Sequence, residues 1–169
     1  GFGVDGNSHS HTTAIGTQAL YGITTGAYNT ALGDRAGYTL TTTTSTVLIG
    51  YQAGYALNST DANGAVMIGF GAGSTATHPA GSTLIGSGSG GQISTGDSNT
   101  IVGSTAGATI TSGAGNTVMG QFAGGFSGAA LTGNYNTVIG YQAGQTLGGA
   151  ATENVFMGRI AGRDATTAS

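Results

Sequence analysis

Asn136-Thr-Val-Ile-Gly-Tyr-Gln-Ala-Gly144 is one copy of a nine-residue unit that recurs along the chain. Asn99-Thr-Ile-Val-Gly-Ser-Thr-Ala-Gly107 and Asn29-Thr-Ala-Leu-Gly-Asp-Arg-Ala-Gly37 are two further clear copies. The central Gly stands at 16, 33, 50, 69, 86, 103, 120, 140 and 158, in steps of 17, 17, 19, 17, 17, 17, 20 and 18 residues. A repeat of this length marks stacked units, each of which buries its neighbours.

Counting from the central Gly as position 0, the column at −1 is Ile15, Leu32, Ile49, Ile68, Ile85, Val102, Met119, Ile139 and Met157. The column at −2 is Ala14, Ala31, Leu48, Met67, Leu84, Ile101, Val118, Val138 and Phe156. All eighteen residues are apolar, and the column at −3 holds only Thr or Val. These are strand formers, in runs too short for a helix and ended each time by Gly. Adjacent residues of a strand point to opposite faces. Two full apolar columns therefore imply two buried faces, one lining the coil's own core and one meeting a partner. The expectation is that the −1 column, which shares its face with the Thr column, lies inside, and that Leu48 to Phe156 of the −2 column form the partner-facing stripe.

The segments between units hold 8 to 11 residues and absorb the changes of period. Their third residue is usually a large aliphatic: Ile23, Leu40, Leu57, Ile93, Ile110 and Leu147. This column predicts a second, shorter strand aimed into the same core, with Leu131 replacing Ser127 in the longest segment. Ala or Ser at +3 and Gly at +4 predict tight corners. The chain therefore reads as an all-β protein, a parallel β-solenoid or β-roll of about nine coils with a 17–20 residue period. Residues 1–11 form a lead-in, 12–162 the repeat domain, and 163–169 a tail or the start of another segment. At ~4.8 Å per coil the rod is roughly 40 Å long.

Composition narrows the function. Of 169 residues 35 are Gly, only 5% are charged, Cys and Trp are absent, and the cations are Arg35, Arg159 and Arg163 alone. Three scattered cations do not suit nucleic-acid binding. No apolar run reaches the ~18 residues of a membrane span. So few charges make a poor soluble monomer, which points to assembly or to a covering such as glycan. The chain opens at Gly1 rather than Met, which reads as a processed product or a fragment.

The units Thr46-Val-Leu-Ile-Gly-Tyr-Gln-Ala-Gly54 and Asn136–Gly144 resemble the repeats of bacteriophage tail-fibre proteins. They also resemble the head β-roll of trimeric autotransporter adhesins, although the period here is longer than theirs. The Tyr-Gln-Ala-Gly ending is closer to the phage type. This resemblance implies a parallel homotrimer and an extracellular, non-enzymatic role as a tail-fibre shaft or receptor-binding fibre. A bacterial surface adhesin head or extracellular filament subunit is the alternative, with an ice-binding solenoid as a third.

Catalysis has little to draw on. Asp5, Asp34, Asp61, Asp97, Glu153 and Asp164 fall in no equivalent columns of adjacent coils, and no Ser-His-Asp set suggests itself. Gly86-Ser-Gly88-Ser-Gly90-Gly91 matches G-x-G-x-x-G only formally, because a helix must follow for phosphate binding. No cofactor is required. In an extended Ser8-His9-Ser10-His11 segment, both imidazoles point to one side. Three copies about an axis offer six ligands to a divalent transition metal, an arrangement the fibre resemblance supports. Asn58-Ser59-Thr60 is a glycosylation sequon, and Thr41 to Thr44 form an O-glycan candidate. Tyr51, Phe70, Phe122 and Tyr141 are candidate contact residues, for glycan or lateral binding, and Tyr21, Tyr38 and Tyr55 predict a stacked ladder. The expected partners are further copies of the chain, as homotrimer or filament, and a cell-surface glycan, with neither nucleic acid nor membrane insertion.

Overall fold

The computed structural model describes residues 10–58, 62–125 and 129–164. Among these, nine three-residue strands make one parallel sheet in chain order. They are β1 (Thr13–Ile15), β2 (Thr30–Leu32), β3 (Val47–Ile49), β4 (Val66–Ile68), β5 (Thr83–Ile85), β6 (Thr100–Val102), β7 (Thr117–Met119), β8 (Thr137–Ile139) and β9 (Val155–Met157). The register follows the repeat in every pair, as in Leu84 opposite Ile101 and Ile85 opposite Val102. The protein is a β-solenoid of about 8 turns with a period of ~17 residues. The described residues contain no α-helix, and none is long and apolar enough to cross a membrane.

Backbone conformation sets the strand length. The column at −5 is left-handed in every coil, including His11 (φ 54), Tyr28 (φ 58) and Glu153 (φ 60). Position 0 closes each strand at φ between 124 and 139. Residues with a side chain tolerate the first region at a cost, but the second belongs to Gly. A Cβ on Gly86 would also lie 2.5 Å from the carbonyl oxygen of Gly103, the equivalent Gly of the next coil. Conformation and close stacking together explain why position 0 is Gly nine times, while −5 accepts Tyr, Ser, His and Glu.

The inward face is the opposite of the one expected. From Leu48 to Val138 the −2 column is fully buried, whereas Ile15 is 60% and Met157 67% exposed and the rest of the −1 column is half-buried or exposed. Alternation carries the −3 Thr/Val column outward with −1, and it carries the −4 column inward with −2. The core is thus built from the −2 side chains, the Ala or Ser at +3, and the aliphatic column of the intervening segments.

Side-chain volumes corroborate this arrangement. The −2 column is small only in the first two coils, at Ala14 and Ala31, and there Leu20 replaces the usual +4 Gly. Leu20 is 1% exposed and adopts φ 51, accepting a left-handed backbone to fill the space those alanines leave. In the next coil, a Cβ on Gly37 would meet both Leu20 Cδ2 and Leu48 Cδ1 at 2.7 Å.

The aliphatic column is buried as expected, but it forms no second strand. Ile110 N donates to Gly107 O of its own coil (3.1 Å), whereas the flanking Thr109 and Thr111 amides donate to Gly125 O (3.3 Å) and Leu131 O (3.1 Å) of the next coil. A local turn takes the middle amide out of the intercoil ladder. Only isolated bridges occur there, from Ile110 to Leu131 and from Leu131 to Gly149. Leu131 is fully buried and stands in this column between Ile110 and Gly149; Ser127, whose place it was expected to take, lies outside the described residues.

Candidate functional site: an outer sheet face and an aromatic corner

The outward face of the sheet consists of the −3 and −1 columns. It spans nine strands at ~4.8 Å and about 10 Å across, an area on the order of 400 Å². It bears Thr, Val, Ile, Leu and Met and no charged residue. The apolar −1 column shares this area with a −3 column that is Thr in six coils and Val in three, so the face is uncharged and in part apolar.

Beneath it runs a polar column that sequence reasoning passed over. The −4 residues Asn29, Thr46, Ser82, Asn99, Asn116 and Asn136 are buried. Asn116 N and Nδ2 both donate to Asn99 Oδ1 (2.9 and 3.1 Å), and Nδ2 also reaches Gly133 O (3.2 Å). Asn136 repeats this on Asn116 Oδ1 (both 2.9 Å), and Asn154 repeats it on Asn136 Oδ1 (3.1 and 2.9 Å). At the other end Thr46 N and Oγ1 donate to Asn29 Oδ1 (3.0 and 2.8 Å). Buried amides are tolerated when their donors and acceptors are paired; here coil 3 pairs with coil 2 and coils 5 to 9 pair in succession, with Ala65 interrupting the column in the fourth coil. Asn at −4, two residues before an inward −2, was the signal available in the sequence.

Three sets of aromatic residues among the described ones bear on the expected ladder and contact residues. Tyr21, Tyr38 and Tyr55 stack as expected, at 5.2 and 5.1 Å with rings within 6° of parallel. Tyr51 stacks on Phe70 at 5.2 Å. Phe122 meets Tyr141 edge to face at 6.3 Å, and the Arg159 guanidinium lies 5.8 Å from the Tyr141 ring centre. The four candidate contact residues thus fall into two separate pairs.

The remaining candidates are dispersed. His11 belongs to the left-handed −5 column and its ring stacks on Tyr28 at 4.8 Å, so the extended His-Ser-His geometry does not hold at that residue. His9 lies outside the described residues. Asn58 is exposed, but Ser59 and Thr60 of its sequon lie outside the described residues. Within the Thr41–Thr44 stretch Thr43 is fully buried, and Thr44 donates through N and Oγ1 to Asn63 Oδ1 (2.7 and 3.1 Å). His78 Nδ1 lies 2.9 Å from Ser94 O and 3.0 Å from Thr77 Oγ1, which ties one coil to the next. Asp34 pairs with Arg35 at 3.7 Å, and Asp164 with Arg163 at 3.4 Å.

Compared with known proteins, the chain matches no family model, no curated protein and no solved structure.

Proposed function

We propose that the protein is a non-enzymatic structural segment of an extracellular fibre, of the bacteriophage tail-fibre kind, which assembles through the outer face of its sheet as a parallel homotrimer. The observation that carries this reading is the outward sheet face, whose −1 column is apolar in all nine strands and runs beside an uncharged Thr/Val column at −3. Its columns run in register and without charge, so a second copy meets like residues with no repulsion. Burying such a face in a closed assembly removes its exposure to water. The phage source rests on the Tyr-Gln-Ala-Gly unit endings. A baseplate or fibre-chaperone gene nearby supports it, and an encoded membrane anchor supports a bacterial adhesin.

Sedimentation equilibrium of the wild type and Ile85→Asp tests the assembly. The wild type is expected to be a trimer. The variant places its charge on the outer face, so it is expected to be a monomer with an unchanged β-type circular-dichroism spectrum. A monomeric wild type, or a variant that still trimerises, refutes the reading.

One observation favours a second function. The Thr column, expected inside, faces out on a regular sheet, with Thr13, Thr30 and Thr100 exposed. A Thr array of this kind can order water, although Val47, Val66 and Val155 interrupt it. Thermal hysteresis at micromolar protein supports ice binding, and its absence removes that reading.

A further inference from the structure

Of the four aromatic contact candidates, Phe70 is the most exposed, at 64% against 41% for Tyr51 and Tyr141. Tyr51 stacks on Phe70, while Phe122 and Tyr141 meet edge to face beside Arg159. One face of Phe70 is taken by Tyr51 at 5.2 Å and 16°. The other looks along the rod to the next coil, whose register is fixed by Gly88 N donating to Phe70 O (2.9 Å). There the stacking column continues as Ser87 and then Ser104, with Gly88 and Thr105 beside them, so no ring follows. Phe70 is accordingly 64% exposed. The next aromatic residue of this corner is Phe122, three coils from Phe70, a step of ~14 Å.

The result is a notch in the corner, where an exposed ring is followed by small residues. Phe70 is its wall, and its floor offers hydroxyls from Ser87, which is exposed, and from the Ser104 and Thr105 pair, whose oxygens lie 3.4 Å apart. The C–H face of a pyranose stacks on an aromatic ring while its hydroxyls exchange hydrogen bonds with neighbouring side chains. Charge decides the class. From Phe70 to Phe122 the only charged residue is Asp97, six positions before its central Gly and across the strand from this corner. An acidic sugar finds no cation there. We propose that the Phe70 notch is a binding site for a neutral hexose unit of a glycan. This site does not depend on the fibre reading.

Saturation-transfer NMR with neutral glucose-, galactose- and mannose-containing trisaccharides tests the site, with sialyllactose as the charged control. At least one neutral trisaccharide is expected to bind with millimolar affinity, and sialyllactose is not. Phe70→Ala removes the wall. Ser87→Phe extends the aromatic stack over the free face and leaves the core untouched. Both variants are expected to weaken binding by roughly tenfold or more. Tyr135→Ala, which removes an exposed ring lying against Gly115, leaves binding unchanged. The proposal is overturned if no neutral trisaccharide shows transfer at about 10 mM. It is also overturned if Ser87→Phe binds as well as wild type, or if sialyllactose binds equally. A change of sedimentation coefficient in Phe70→Ala and Ser87→Phe without loss of sugar binding places Phe70 in a subunit contact instead. A monomeric wild type that binds the sugar refutes the fibre and keeps the site.

Discussion

Leu84 and its neighbour Ile85 have opposite fates in the fold, and alanine at each position measures the difference. Leu84 is fully buried between Met67 and Ile101 of the adjacent strands. Its methyl groups also lie over two backbone corners: a Cβ on Gly90 would meet Leu84 Cδ2 at 2.7 Å, and one on Gly73 would meet Leu84 Cδ1 at 3.1 Å. Both glycines are held by intercoil bonds, Gly73 N to Ser89 O (2.9 Å) and Gly90 N to Ala106 O (3.0 Å). They have no side chain to swing into a void, so collapse around Leu84→Ala is limited. The cost belongs in the upper half of the range for buried Leu→Ala, about 4 kcal/mol. Ile85→Ala removes three carbons from a half-buried site in a single chain, which amounts to about 1 kcal/mol at ~0.8 kcal/mol per fully buried methylene. Urea titration followed by far-ultraviolet circular dichroism, at low protein concentration, compares the two midpoints. An Ile85→Ala loss equal to or larger than that of Leu84→Ala, and independent of protein concentration, would falsify the assignment of faces. A loss that grows with concentration identifies Ile85 as part of the partner contact.

Two further measurements probe the corners and the polar column. Gly86→Ala is expected to cost more than 3 kcal/mol, because φ 128 is strained for Ala and the new Cβ meets the Gly103 carbonyl at 2.5 Å. Gly88→Ala, at φ 65 with nothing nearer than Thr105 Cγ2 at 3.9 Å, is expected to cost about 1 kcal/mol; equal midpoints for the two variants contradict this account. Asn116→Ala leaves Asn99 Oδ1 without its side-chain donor and deprives Asn136 N and Nδ2 of their acceptor. The expected loss is about 2–4 kcal/mol, and a change under 0.5 kcal/mol shows that the column is not structural.

Position 0 and the three residues before it were legible because the chain repeats itself. Nine glycines with the same preceding apolar pair place nine strands and their register, and β1 to β9 fall on those residues. The Tyr21–Tyr38–Tyr55 ladder follows from equal spacing and in-register stacking. The Phe70 notch was half legible. Its aromatic residue stood out, but the free ring face depends on Ser87 standing where a further ring would continue the stack, and that matters only once adjacent coils are known to stack ring on ring.

Sequence alone determined the period, the strands and the tight +3 and +4 corners, because each rests on local conformation and on identical neighbours a fixed distance apart. Tertiary structure decided which side of the strand is inside. Both adjacent columns are apolar, so hydrophobicity was silent, and three residues are too few for alternation against solvent to show. The choice follows from how the chain turns at the left-handed −5 residue and at the Gly of position 0. That turn brings carbonyl groups round to satisfy the Asn column, which makes the −4 and −2 side the interior. The compensation of Ala14 and Ala31 by Leu20 carried the same information in the sequence. It reads as compensation only when Leu20 and the −2 column are known to share one core.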